Sequence, residues 1–240
     1  MRKILVVSSC GQSKRYSLDN CLTQEDFEDP VRLIKREKEL SEWAVPAEQM
    51  YTGMSHQLTS ESVDLLRRYV KLPVDWYIVS AGYGVIPENK TIVPYNTTFR
   101  NHTSTEILEW SKRLKIHSDL NNLVPKYDLV FFLLGGDYLK AIELPLESAT
   151  PNQRIFIYSA VLDEKIQSLA PYCFVKSGWD EVVSWGGGMT KIRCWLFKRL
   201  AQEIVKNEDL VEQIYNNPEM IMKVIENHKR KPVPQQTTFF

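Results

Sequence analysis

The side chains of this sequence most able to do chemistry stand in four short glycine-bearing segments: Ser9-Cys-Gly-Gln-Ser-Lys14, Ala81-Gly-Tyr-Gly84, Gly135-Gly-Asp-Tyr138 and Trp185-Gly-Gly-Gly-Met-Thr-Lys191. Glycine lets backbone N–H groups come close to a ligand, and a helix that starts just behind it adds partial positive charge. A phosphate or carboxylate is therefore the natural guest. The last segment, with Gly187 and Gly188 followed by Lys191 and Arg193, reads as a helix start with two cations, suited to a nucleotide phosphate. The same two cations also fit a solvated helix face, and a glycine at a strand end is often only a turn.

Other chemistries lose support by spacing. The Gly186–Gly188 run lacks the Gly-Lys-Ser/Thr ending of a phosphate-binding loop and the Gly-x-Gly-x-x-Gly of a dinucleotide fingerprint, so ATP and NAD are not expected. Cys10, Cys21, Cys173 and Cys194 form no Cys-x-x-Cys pair, and His56, His102, His117 and His228 are not spaced as zinc ligands. The His-x-Glu and Pro-Cys-x-x-Cys pattern of zinc deaminases is missing too. The expectation is a protein without metal or cofactor.

The elements that must hold these segments are legible from hydrophobic runs. Lys3–Ser8, Trp76–Ser80, Leu129–Leu134 and Arg154–Tyr158 are short apolar stretches that read as buried strands. Helical patterns separate them: Val63, Leu66 and Val70 after Thr59 and Ser60; Ile107, Leu108 and Leu114 after Ser104; Tyr138–Leu146 after Asp137; and Ile192, Leu196, Leu200 and Ile204 after Gly188. Strands alternating with helices predict an α/β fold, a three-layer αβα sandwich with a mainly parallel central sheet. Loops and helix starts would then meet at the carboxyl ends of the strands, where such sheets bind ligands. Residues 17–46 are charge-dense without an apolar face and read as an excursion over that edge. The predicted organisation is an α/β catalytic domain over 1–206, a helical addition over 207–228 that begins a short helix near Pro218, and a flexible tail over 229–240.

Composition agrees with a water-soluble globule. Of 240 residues, 43% are hydrophobic and 25% charged, and 30 Lys plus Arg balance 30 Asp plus Glu. A polyanionic partner must therefore be met by a local basic patch. No apolar run approaches the length needed to cross a bilayer, and the sequence enters a strand directly instead of a leader, so a cytoplasmic protein without membrane contact is expected.

The series Val-Ser-Ser-Cys-Gly-Gln-Ser-Lys, Pro46-Ala-Glu-Gln-Met-Tyr-Thr-Gly53, Trp76-Tyr-Ile-Val-Ser-Ala-Gly-Tyr-Gly84 with Pro94-Tyr95, Leu134-Gly-Gly-Asp-Tyr138 and Gly-Gly-Gly-Met-x-Lys resembles an uncharacterised prokaryotic family, over about residues 4 to 200. Its usual form is Ser-Cys-Gly-x-x-Lys, Pro-Ala-x-x-Leu-Tyr-x-Gly and Trp-Tyr-Ile-Leu-Ser-Ala-Lys-Tyr-Gly-Leu. That family is similar to the catalytic domain of archaeosine synthase, whose Cys-Ser-x-x-Lys-Pro-Tyr segment resembles Cys10–Tyr16, and through it to the uracil-DNA-glycosylase-like fold. The resemblance implies nucleobase chemistry. One departure stands out, because Gly82 occupies the place of the family's Lys.

Two mechanisms follow from that resemblance. Breaking an N-glycosidic bond builds oxocarbenium character on the sugar, which calls for a carboxylate near the anomeric carbon, a donor to the leaving base and a stacking surface. Asp137 is the candidate carboxylate, with the N-cap of the following helix as its alternative role. Tyr83 and Tyr138 would sandwich the base, unless they merely pack. Gln12 or Lys14 would donate to it, while Gly11 and Gly136 line the approach. In the second mechanism Cys10 acts as nucleophile, or Lys14 as activator, in transfer onto a base in tRNA or DNA, as the archaeosine synthase resemblance suggests. Against that, a buried cysteine at a strand end is commonly an apolar filler. A third reading is a nucleotide-binding protein without turnover.

The tail Gln236-Thr-Thr-Phe-Phe240 resembles the short peptide by which repair proteins hook a sliding clamp, with Gln236, Phe239 and Phe240 as anchors. The expectation drawn from all of this is a DNA glycosylase that excises a modified base. Its partner would be DNA containing modified bases, and foreign or phage genomes, hence antiviral defence, are the setting in which such bases abound.

Overall fold

A computed structural model describes residues 2–70, 72–185 and 188–226. From the start of the chain, β1 (Ile4–Ser9) leads into α1 (Gln24–Glu28), α2 (Pro30–Glu39), the two-residue β2 (Val45–Pro46), α3 (Ala47–Met50) and α4 (Met54–Leu65). Then come β3 (Val74–Ser80), β4 (Gly84–Pro87), β5 (Thr91–Ile92), α5 (Ser104–Arg113), α6 (Ile116–Leu123), β6 (Leu129–Leu133), α7 (Gly136–Ala141) and β7 (Arg154–Ser159). The last part holds α8 (Glu164–Gln167), β8 (Tyr172–Lys176), α9 (Trp179–Trp185), α10 (Ile192–Lys206), α11 (Leu210–Asn216) and α12 (Met220–Glu226).

Six strands form one sheet in the order β4-β3-β1-β6-β7-β8, parallel throughout except for β4. Every residue of β6 is buried, as are the first five of β1. Since successive strand residues point to opposite faces, both faces of the sheet centre are covered. Val6, Trp76, Phe131 and Phe156 share one row of the register. On that face His56 of α4 lies against Trp76 and Phe197 of α10 against Phe131. On the other, α5, α6 and α7 pack together, with α6 against β4. The fold is therefore α/β with a mainly parallel six-strand central sheet and C-terminal helices, of which α11 and α12 rest on α10.

The topology creates one crevice. The chain leaves β1 for β3 on one side, and leaves β6 for β7 on the other, so the connections of two adjacent strands diverge beyond their carboxyl ends. This switch point is where open α/β sheets bind ligands.

Several expected elements differ. Residues 17–46 hold two helices. No residue of α2 is buried, and charge and caps sustain it: Asp29 accepts from the N–H of Val31 and Arg32, and buried Asp26 binds Arg32 at 2.7 Å. α4 begins at Met54, ahead of Thr59 and Ser60, because the hydroxyls of Thr59 and Ser62 donate back to carbonyls one turn earlier instead of capping. α7 stops at Ala141 rather than near Leu146, since Glu143 is left-handed (φ 50°) and Pro145 disfavours helix at Leu144. β4 was hidden by Gly84 and Pro87, which suit a turn and an edge strand. Gly84 is required there: its φ is +70°, and a Cβ would lie 2.8 Å from the Leu114 carbonyl oxygen. Gly186, Gly187 and the 229–240 tail with Gln236, Phe239 and Phe240 lie outside the described residues.

Candidate active site

A cleft of about 530 Å³ opens at the switch point. Its floor is the end of β1 (Ser8 to Gly11) and of β6 (Leu133), and its walls are the starts of α4, α7 and α10 together with Arg100. The sequence brings three helix N-termini here by placing Gly53, Gly135 and Lys191 at their caps. None of the three has a side-chain cap; at α10 the Gly188 carbonyl accepts from the Ile192 N–H, and at α4 and α7 no side chain takes the leading N–H groups. Capped helices stand elsewhere, as with Thr103 on α5, whose side chain accepts from the Glu106 N–H.

The wall is cationic. Lys191 and Arg193 both line it, and neither makes an ion pair among the described residues. The guanidinium of Arg193 rests against Gly135, its Nε is buried without a hydrogen-bond partner, and burial lowers its pKa. Arg100 donates to the Gln12 side-chain oxygen at 3.2 Å. Asp137 is the carboxylate on this surface. It occupies the second position of α7, with Gly135 as N-cap, so the capping alternative does not apply. Its Oδ1 lies 3.5 Å from Lys140 Nζ and its side chain is 43% exposed, which leaves the carboxylate accessible. Gly136 has open space where a Cβ would stand.

Cys10 and Tyr138 meet behind Asp137, Sγ to phenol oxygen at 2.9 Å. Burial, with Cys10 next to it, holds Tyr138 well above the usual phenol range, and the same causes act on Tyr95. Tyr95 also shares hydrogen bonds of 2.8 Å with Tyr51 and Ser80. These phenols stay protonated and serve as hydrogen-bond groups. Lys14 places its ammonium 4.4 Å from the Tyr95 ring centroid, and burial lowers its pKa. It lines a smaller chamber of about 160 Å³ beside the cleft with Asn96 and Thr97, and Cys10, Gly11, Gln12, Thr98 and Tyr138 belong to both spaces.

Of the residues singled out from sequence, Cys10, Gly11, Gln12, Gly136, Asp137, Tyr138, Lys191 and Arg193 come together at the cleft, and Lys14 at the chamber. Gly188, at φ +86°, directs the chain into α10 through its carbonyl, which accepts from the N–H of Lys191 and Ile192. Tyr83 does not join them. Its ring packs edge-on against Phe27 and Tyr95, and its hydroxyl accepts from the Val93 N–H, so the expected Tyr83–Tyr138 sandwich is absent. The Tyr138 ring itself packs edge-on against Phe99 at 5.1 Å. The space a side chain at Gly82 would need is filled by Phe27, 2.6 Å from an ideal Cβ.

Sequence reasoning missed Arg100, His56, Thr97 and Asn96. His56 lines the cleft with Nε2 donating to the Glu48 carbonyl, which leaves Nδ1 as a buried lone pair without a partner, and burial lowers its pKa. The Gly53 cap six residues after Ala47 was the available signal for a helix start at the site. Arg100 and Thr97 sit in a loop without any recognisable pattern. No three His, Cys, Asp or Glu side chains gather as a metal site would among the described residues.

Fold and site together define an open α/β protein with an anion-attracting crevice at its switch point. Residues 31–170, more than half of the chain, match a family of unknown function, DUF6884, and the protein belongs to that family. No curated protein matches the sequence.

Proposed function

We propose that the protein is an N-glycosidase of the DNA glycosylase type, releasing a modified nucleobase from DNA. The observation that carries this reading is the pairing of one accessible carboxylate, Asp137, with an otherwise cationic wall of Arg100, Lys191 and Arg193 in a cleft large enough for a nucleotide. The cations, with the start of α4 beside them, attract the phosphodiester. Asp137 offsets the positive charge that grows on the anomeric carbon as the C1′–N bond breaks. The bonding pair leaves with the base, water adds to C1′, and the proton that water gives up balances the charge on the base. The product is an abasic site. The motif resemblance to archaeosine synthase and to uracil-DNA-glycosylase-like proteins supports nucleobase chemistry without choosing between excision and transfer.

A second reading, transfer onto a nucleobase through Cys10, is favoured by the 2.9 Å contact of its thiol with Tyr138 at the place where cleft and chamber adjoin. An abasic-site assay on modified and unmodified DNA tests the first reading. Excision predicts abasic sites confined to modified DNA. Transfer predicts none, and a mass gain on the nucleic acid. Tight nucleotide binding with neither product would reduce the protein to a binder.

A further inference from the structure

No residue of α2 is buried, yet the helix is amphipathic. Its half-buried positions Leu33, Arg36 and Glu37 turn toward the body, and buried Leu40 follows on the same side. With about 100° between successive residues, the opposite stripe consists of Val31, Ile34, Lys35 and Lys38. All four are exposed, Val31 at 79% and Ile34 at 69%. A single exposed aliphatic side chain is ordinary. Two β-branched ones a turn apart, on the stripe farthest from the core, make a face that the folded chain does not cover.

The charges around this face run in one direction. Lys35 and Lys38 stand at its C-terminal end and enter no ion pair among the described residues. At the other end the chain turns out of α1 through an acidic corner, where Glu25, Glu28 and Asp29 are all exposed. A second copy of the stripe laid antiparallel on the first brings Val31 against the other copy's Ile34, and sets each lysine end over the other copy's acidic corner. A parallel arrangement opposes lysine with lysine and acid with acid, which disfavours it. The face is thus complementary to itself about a two-fold axis, as the contact of a symmetric dimer must be.

We propose that α2 is a dimer interface, and that what covers Val31 and Ile34 is the same helix of a second copy of this chain, antiparallel to it. The contact is small, since a helix of 10 residues is about 15 Å long and a standard interface buries about 1,600 Å². Pairing is therefore reversible and depends on concentration. None of the residues of α2 lines the cleft or the chamber, so the assignment is independent of what the cleft does.

Sedimentation velocity of the full chain over a concentration series tests this, with thermal melts to establish that each variant folds. The wild type should pass from monomer to dimer as concentration rises. Ile34→Glu places a charge from each copy at the centre of the contact and should raise the dissociation constant at least about tenfold. Lys38→Glu and Glu28→Lys should each raise it about threefold or more, because each opposes like charges at both ends of the pair. An equimolar mixture of these two variants should dimerise about as well as wild type, since lysine again meets glutamate at both ends of the mixed pair. An effect of either charge within its own chain is not relieved by mixing. A monomer at every concentration, a dimer unmoved by folded Ile34→Glu, or a mixture no stronger than its components would overturn the proposal.

Discussion

Asp137 sits on the first turn of a short helix with its carboxylate partly in water and one distant cation, Lys140, beside it. Replacing it by Asn removes charge and little packing. Such exposed pairs contribute about 0–1 kcal/mol, so Asp137→Asn should melt within a degree or two of wild type and bind DNA equally well. Base release should fall at least about a hundredfold, and unchanged release would remove Asp137 from the chemistry. Cys10→Ser puts a hydroxyl in place of the thiol beside Tyr138 and should alter excision by less than threefold, while complete loss of activity in a folded variant would favour transfer. At this scale the sequence was informative where glycine follows a strand, which is why Asp137, Gly136 and Cys10 were legible. Tyr83 was misread for a physical reason. Its loop resembles that of Tyr138, but left-handed Gly84 turns the chain back into β4, and the Tyr83 ring ends against Phe27.

Elements fix the site through two contacts that can be perturbed. Phe27 of α1 occupies the space over Gly82, so Gly82→Ala forces a packed ring to move and should destabilise by about 1–3 kcal/mol. Phe27→Leu in the same chain should recover part of this, as measured by denaturant unfolding, and a neutral Gly82→Ala would contradict the packing described. Farther along the chain, His117 of α6 directs one ring nitrogen at the Ile142 carbonyl and the other at Glu147, each at an acceptor. Both nitrogens then need a proton. Burial opposes that charge, but the Ile142 and Glu147 oxygens outweigh it and raise the histidine pKa. The stabilisation is complete below the unfolded value of about 6.5 and is lost as pH rises through the higher folded value. The wild-type melting temperature should therefore fall more between pH 6 and 8 than that of Glu147→Gln, and parallel profiles would refute the tie. Continuous apolar runs revealed the inner strands. The edge strand β4 was masked by Gly84 and Pro87, and the solvated helix α2 buries no face that a pattern could mark.

For the molecule as a whole, equal numbers of acidic and basic residues mean that the nucleic-acid binding proposed above would rest on a local patch, for which the cationic wall of the cleft is the candidate. Arg193→Met should weaken DNA binding and reduce its dependence on log salt by about one, and an unchanged slope would place the phosphate elsewhere. The α/β architecture and the meeting of loops at one sheet edge followed from the alternation of strands and helices. Of the cationic wall, Lys191 and Arg193 were legible in the sequence and Arg100 was not, since it reaches the cleft only through the tertiary path of a loop. No helix among the described residues is long and apolar enough to cross a membrane. The central claim is that this cleft breaks the bond between base and sugar. It is tested most directly by mass spectrometry of the small molecules that the purified protein liberates from natural and viral DNAs. The account predicts a free modified base with one abasic site per molecule released, and DNA left intact with no base in solution across all those substrates would contradict it.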